Sequence, residues 1–109
     1  MGNKKLAAAL LAAGLSVLGG CQDKAIGRAY RVEIKGMAYA LPELTVAPGD
    51  TVVWVNRDIV PHTVTADARQ FDSGSVGPTA EWSFVVRERG RIPYSCTFHP
   101  TMKGVLVVK

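Results

Sequence analysis

Short segments in which apolar and polar residues alternate, each followed by a turn signal, recur from residue 30 to the end of the chain. A period of two places every second side chain on one face, which is typical of half-buried β-strands. Glycine and proline punctuate the intervals, and no segment of this region has the spacing of an amphipathic helix. The predicted strands cover residues 30–34, 43–46, 51–56, 62–66, 80–86, 92–96 and 104–108. We therefore predict an all-β fold, a two-sheet Greek-key β-sandwich.

The first twenty residues have the pattern of an export signal. Lys4 and Lys5 precede an apolar run over residues 6–18. As a helix this run is about 20 Å long, too short for a bilayer core of about 30 Å. Residues 18–21, Leu-Gly-Gly-Cys, resemble a bacterial lipobox, in which the cysteine becomes the lipid-bearing first residue of the mature protein.

This pattern predicts three regions. They are a lipoprotein signal peptide over residues 1–20, a lipidated Cys21 with a short tether over 21–28, and one domain over 29–109. The alternative is an ordinary signal peptide cut near Gly20, which leaves Cys21 as a spare thiol. In the first interpretation the protein is lipid-anchored in the bacterial cell envelope and faces the periplasm. Gln22 after the cysteine indicates the outer membrane where the host has two membranes.

The charge pattern argues against nucleic-acid binding. The chain has 13 basic and 9 acidic residues, a net charge of +4, and these residues are spread evenly. Without a basic tail or a charge block we expect no nucleic-acid partner. The length of 109 residues fits one small domain, which we expect to be a monomer.

Histidine and cysteine are so scarce that a metal site has few candidates. The chain has two histidines, and lipidation of Cys21 leaves Cys96 without a disulfide partner. Cys96, His99 and Met102 form a Cys-x₂-His-x₂-Met loop between two predicted strands, and His62 begins a strand far upstream. Two imidazoles, one thiolate and one thioether are the ligands of a blue-copper centre. Soft sulfur stabilises Cu(I), and imidazole suits both oxidation states.

Each of these residues also has an ordinary structural explanation when taken alone. A single buried cysteine or methionine is more often a packing residue than a ligand. A single histidine is more often a hydrogen-bonded side chain in the core or on the surface. The pattern is informative because both histidines and the unpaired cysteine fall where one copper site needs them.

The same residues carry a resemblance to the cupredoxins, most closely to the amicyanin and plastocyanin-like group, over roughly residues 30–109. The matching motifs are Gly49-Asp50-Thr51-Val52-Val53-Trp54-Val55-Asn56, Pro61-His62-Thr63-Val64, Tyr94-Ser95-Cys96-Thr97-Phe98-His99-Pro100 and Met102-Lys103-Gly104. The resemblance implies one type 1 copper ion, held by His62, Cys96, His99 and Met102. Next to these ligands we expect Thr63, Phe98 and Pro100.

Phe98 departs from the pattern of the amicyanin group, which often has proline two residues after the cysteine. Unlike proline, Phe98 has a backbone N–H that could donate to the sulfur of Cys96. Hydrogen bonds to that sulfur raise the reduction potential. We therefore expect Phe98→Pro to lower the potential.

The leading hypothesis for function is single-electron transfer between redox proteins, such as a cytochrome, a dehydrogenase or an oxidase. An enzyme is not expected, because a saturated ligand set leaves no open coordination position. The alternative is a periplasmic protein that binds, delivers or sequesters copper, and a third possibility is a zinc-bound structural module. Electron transfer requires an exposed uncharged patch around His99, for which the candidates are Met37, Pro61, Pro78, Phe98 and Pro100.

Overall fold

Seven β-strands in two sheets make up the part of the chain that the computed structural model describes, residues 27–109. The strands are β1 (Ala29–Ile34), β2 (Glu43–Val46), β3 (Thr51–Asn56), β4 (Thr65–Ala66), β5 (Glu81–Val85), β6 (Gly90–Ser95) and β7 (Lys103–Val108). One sheet has the strand order β1-β3-β5 and the other β2-β7-β6-β4. The chain changes sheet at each of its first five connections and closes with a β6–β7 hairpin. The predicted two-sheet Greek-key β-sandwich is confirmed.

The strand pairing gives the sandwich two ends. At one end β1 and β3 finish together, and the loop from β6 to β7 begins at Cys96. The backbone N–H of Thr63, which follows β3, reaches the sulfur of Cys96 and so joins the sheets there. We call residues 34–41, 56–63 and 96–103 the Cys96 end. The opposite end contains residues 27–29, 46–51, 85–91 and 108–109, and we call it the distal end.

Aromatic side chains fill the core between the sheets. Trp54 is fully buried, and its ring centroid lies 5.5 Å from that of Tyr94 and 5.8 Å from that of Trp82. The indole Nε1–H donates to Tyr94 Oη at 3.2 Å. Burial raises the pKa of Tyr94 to about 12, although this hydrogen bond partly opposes the shift. Trp82 and Phe84 are partly buried and pack against the same core.

Strand β4 is much shorter than the predicted strand over residues 62–66, because only Thr65 and Ala66 pair with β6. Before them the backbone amides bond to side chains instead of a neighbouring strand. The N–H of Thr63 donates to Cys96 Sγ at 3.3 Å, and the N–H of Val64 donates to Ser73 Oγ at 2.7 Å. All five residues from 62 to 66 are buried, so the alternation of this segment does not separate a core face from a solvent face, and the sequence does not reveal these side-chain acceptors.

Residues 27–109 contain a complete sandwich. All seven strands and their shared core lie in this segment, and none of its buried side-chain nitrogen or oxygen atoms lacks a hydrogen-bond partner. This segment therefore has what it needs to fold on its own. It contains no helix that is long and apolar enough to cross a bilayer.

Gly104 leaves no room for a side chain. It pairs with Tyr94, and a Cβ at this position would overlap the tyrosine ring near Cζ and Oη. Because Tyr94 is held in the core by Trp54, Gly104→Ala should lower the free energy of unfolding by about 1–3 kcal/mol. Chemical denaturation measures this change. Gly77→Ala is the matched control, since a Cβ there meets nothing within 4 Å, and an equal loss in both variants would contradict the steric explanation.

Candidate metal centre

His62, Cys96 and His99 converge at the Cys96 end. Their donor atoms all lie within 4.8 Å of one another. The Sγ atom of Cys96 is 3.9 Å from His62 Nδ1 and 3.7 Å from His99 Nδ1. Cys96 and His62 are completely buried, whereas His99 is only partly buried. The structure thus brings together three of the four predicted ligands, of which His99 is the one that is partly exposed to solvent.

The loop between β6 and β7 positions Cys96, His99 and Met102 through its own backbone. The N–H of His99 donates to the Cys96 carbonyl at 3.3 Å, and the N–H of Met102 donates to the His99 carbonyl at 2.9 Å. The N–H of Cys96 in turn donates to the Met102 carbonyl at 3.2 Å. Met102 is 3% exposed. The tight loop therefore holds Met102 buried and bonded through its backbone to Cys96 and His99, and the role of its sulfur as a ligand stays a prediction.

His62 lies in the connection between β3 and β4. It forms an isolated bridge with Val76, where each backbone N–H donates to the other's carbonyl, at 3.1 and 2.7 Å. Buried Asn56 supports this bridge, because its Nδ2 donates to the carbonyls of Val60 and Val76 at 2.9 Å each. These hydrogen bonds fix the backbone around His62 and so hold its imidazole next to the sulfur of Cys96.

Asp58 orients the His62 ring, a role that the sequence analysis missed. Its Oδ2 lies 2.8 Å from His62 Nε2. An ionised carboxylate only accepts hydrogen bonds, so the proton of the neutral imidazole sits on Nε2. The lone pair of Nδ1 is then free to bind a metal ion beside the sulfur.

The Asp58 carboxylate is itself held by a turn after β1. It accepts from the backbone amides of Gly36 at 2.7 Å and Met37 at 3.0 Å. Both residues have a positive φ, 64° and 61°, which presents the two amides side by side. Burial raises the pKa of Asp58, but the bonds from Met37, Gly36 and His62 outweigh it and hold this pKa below its ordinary value. The carboxylate is therefore ionised at neutral pH.

Thr63 is the residue that donates to the thiol sulfur. Its backbone N–H lies 3.3 Å from Cys96 Sγ, its Oγ1 accepts from the amide of Thr97 at 2.8 Å, and its carbonyl accepts from Tyr39 Oη at 2.6 Å. Desolvation raises the pKa of Tyr39 and keeps it a donor. The expected bond from Phe98 to the sulfur is absent from residues 27–109, because the donor comes from the facing segment. Thr63 does lie next to the ligands as predicted.

Exposed apolar side chains surround the open side of the cluster. Phe98 is 50% exposed and Ile59 is 92% exposed. The large exposed hydrophobic residues of the described region are Met37, Leu41, Ile59, Val60, Val85 and Phe98, and all except Val85 belong to the Cys96 end. Pro61 and Pro100 are exposed there too. Ile59 and Val60 were missed by the sequence analysis because isolated apolar loop residues carry no periodic signal.

The donor set fits a soft or borderline metal ion. Two ligands that are about 2.0–2.3 Å from one ion and about 120° apart are roughly 3.8 Å apart. The two N···S distances, 3.9 and 3.7 Å, lie in this range. A thiolate with two imidazoles suits copper in both of its biological oxidation states. The residues present therefore fit one copper ion.

Removal of the Asp58 carboxylate should loosen the site. Asp58→Ala leaves His62 Nε2 without an acceptor, so we expect copper affinity to fall about 10–100-fold, as is usual when such a partner is lost. A competition titration with a Cu(I) chelator measures the affinity. Asp50→Ala is the control, because Asp50 also accepts from two backbone amides but lies at the distal end. Equal losses in both variants would mean that Asp58 acts only through general stability.

Comparison with known proteins finds relatives that all belong to one family of copper-binding proteins. A family model described as copper binding proteins of the plastocyanin/azurin family matches residues 27–109. The chain is 39% identical over 88 residues to amicyanin of Paracoccus denitrificans, an alignment that covers 72% of this chain and 63% of that protein. It is 31% identical over 108 residues to amicyanin-alpha of Methylorubrum extorquens, covering 94% and 88%. The chain thus spans less than two thirds of the Paracoccus relative.

Solved structures agree with these sequence matches. A mutant of amicyanin in its Cu(I) form matches with a TM-score of 0.70 and 36% identity, over 74% of this chain and 82% of that chain. Another amicyanin mutant, in the oxidized state, matches with the same values. Together with the cluster of His62, Cys96 and His99, the matches identify a site for one copper ion. The chain belongs to the plastocyanin/azurin family of copper-binding proteins.

Proposed function

We propose that this protein is a type 1 copper protein that carries single electrons between redox proteins of the bacterial cell envelope. The observation that carries the proposal is the buried cluster of one thiol and two imidazoles, with Nδ1 atoms 3.7 and 3.9 Å from the sulfur. Bound copper alternates between Cu(I) and Cu(II) and so takes up or releases one electron. His62, Cys96, His99 and Met102 are the proposed ligands.

The surrounding residues keep the ligands in place and keep water away. Cys96, His62 and Met102 are at most 3% exposed. Asp58 holds one imidazole, and the hydrogen bonds of the 96–102 loop hold the other. Rigid ligands reduce the rearrangement needed when the charge of the site changes, which favours fast electron exchange. A ligand set saturated by Met102 leaves no open position for a substrate, so we propose a carrier and not an enzyme.

Partners would approach the exposed apolar surface around His99. Ile59, Val60 and Phe98 offer contact area without charged groups that must lose their hydration. The partners are redox proteins, a cytochrome, a dehydrogenase or an oxidase, and the carrier itself acts as a monomer.

We further propose that Cys21 carries the lipid that anchors the protein in the envelope, facing the periplasm; this residue lies outside the described residues. Two or three acyl chains are sufficient for stable anchoring.

The electronic spectrum of the protein loaded with one equivalent of Cu(II) tests the proposed copper centre. We expect an intense visible thiolate-to-copper band and a narrow EPR hyperfine splitting. The two cysteines provide a matched pair: Cys96→Ser should abolish the band, and Cys21→Ser should leave it unchanged. A pale complex in the folded protein would contradict the electron-carrier proposal and favour copper delivery. A stronger preference for zinc than for copper would favour a structural metal site.

Self-exchange between oxidised and reduced copies tests the apolar contact surface without a known partner. Ile59→Asp places two like charges opposite each other when two copies meet at this surface. We expect the rate to fall about tenfold, which corresponds to roughly 1.4 kcal/mol of repulsion. NMR line broadening in mixtures of the two redox states measures the rate. Val85→Asp is the control, because Val85 is exposed at the distal end, and an equal decrease there would show that the surface is not the contact.

A further inference from the structure

The distal end is where the described chain begins. A Cβ on Gly27 would overlap the Gly49 backbone, so these two glycines pack tightly. The N–H of Arg28 donates to Asp50 Oδ1 at 2.8 Å, and its carbonyl accepts from Thr51 at 2.8 Å. Since Gly27 is six residues after Cys21, the intervening chain reaches about 20 Å at most. A lipid on Cys21 therefore keeps this end of the sandwich close to the bilayer.

The distal end is the more basic of the two ends, since the Cys96 end has three basic and one acidic side chain, a net charge of +2. The distal end contains five basic and two acidic side chains, a net charge of +3, whereas the rest of residues 27–109 has five basic and six acidic side chains. The basic residues are all exposed. They are Arg28, Arg87, Arg89, Arg91 and Lys109.

None of these cations forms an ion pair with a residue of the segment 27–109. The three arginine–carboxylate pairs of this segment involve Arg31, Arg57 and Arg69, none of which belongs to the set at the distal end. Arg87, Arg89 and Arg91 line a recess of about 380 Å³ beside the β5–β6 turn, together with one carboxylate, that of Glu88. Three cations against one anion leave the recess with a net positive charge, and a guanidinium group presents several N–H donors that are suited to phosphate.

We propose that the distal end docks on the anionic phospholipid headgroups of the membrane that holds Cys21, through Arg87, Arg89 and Arg91 with Arg28 and Lys109 beside them. The choice of a membrane as the partner rests on the proposed lipid anchor. Each basic residue near an anionic surface strengthens binding about fivefold, and the effect is screened by salt. The anchor makes the contact intramolecular, so a weak surface attraction suffices.

Docking in this orientation turns the copper site away from the bilayer. A six-residue strand is about 20 Å long, and the antiparallel strands β6 and β7 both span the distance between the distal end and the Cys96 end. The apolar surface that includes Ile59 and Phe98 then faces the aqueous space. A lipid anchor alone would allow the sandwich to tumble and to bury this apolar surface against the membrane.

Binding to vesicles tests the proposal independently of lipidation. The probe is the mature chain, residues 21–109, with Cys21→Ser, mixed with vesicles of phosphatidylcholine alone or with 30% phosphatidylglycerol. We expect sedimentation with the anionic vesicles only, and its loss in 0.5 M NaCl. The triple variant Arg87→Gln/Arg89→Gln/Arg91→Gln should reduce the partition coefficient on the order of 100-fold.

A control with the same change in net charge separates position from total charge. Arg31→Gln/Lys35→Gln/Arg57→Gln removes three exposed cations from outside the distal end and should reduce partitioning less than about fivefold. Equal losses in the two triple variants, or binding to neutral vesicles, would overturn the proposal. If the first triple variant loses its near-UV dichroism, the single variants Arg89→Gln and Lys35→Gln provide the same comparison, with an expected loss of about fivefold for Arg89→Gln alone.

The mass of the protein extracted from membranes tests the anchor separately. An unmodified Cys21 together with arginine-dependent vesicle binding would reject the lipid anchor and retain the docking surface. An acylated Cys21 together with vesicle binding that ignores the three arginines would retain the anchor and reject the docking surface. Copper spectra of all variants should be unchanged, because none of the substituted residues contacts the metal centre.

Discussion

The sulfur of Cys96 is buried where three segments that are distant in sequence meet. Thr63 donates to it from the segment after β3, His62 and His99 each direct a ring nitrogen at it, and Asp58 links His62 to the Gly36–Met37 turn. Polar atoms withdrawn from water are costly unless each has a partner. Every one of these groups therefore restricts the positions of the others. Only two side chains, those of Asp58 and His62, lie between the turn after β1 and the thiol, so a shift of this turn would alter the surroundings of the sulfur.

The two imidazoles are held differently, and this difference gives the metal site a buried side at His62 and an exposed side at His99. His62 is completely buried and is fixed from behind by Asp58, whereas His99 is partly exposed and is fixed only by its loop. A ligand on the protein surface provides a short route to a partner, and a ligand in the core keeps the geometry constant. The exposed Phe98 and Ile59 lie on the same side as His99. His99 thus gives a partner access to the metal site, whereas His62 keeps the geometry of the site constant.

Local spacing was sufficient to predict that Cys96 and His99 lie together, because they are three residues apart in one loop. It could not predict Asp58, whose function depends on amides of a turn about twenty residues earlier in the chain. From the sequence, the N–H of Phe98 was a candidate donor to the sulfur because it lies in the same loop. The true donor, Thr63, comes from a facing segment. Its N–H is available because this segment leaves the sheet, which is also why β4 is shorter than predicted.

The arginine-rich surface and the metal centre lie at opposite ends of the sandwich. Charges that are about 20 Å from the site are more than two Debye lengths away at physiological salt. The arginines of the distal end can therefore bind an anionic surface with little influence on the potential felt at Cys96. The Cys96 end has exposed cations of its own, among which Arg57 pairs with Glu33, and its exposed apolar side chains include Ile59 and Phe98. In so small a domain, only the length of the strands allows one surface to attract phosphates while the other stays suited to an apolar contact.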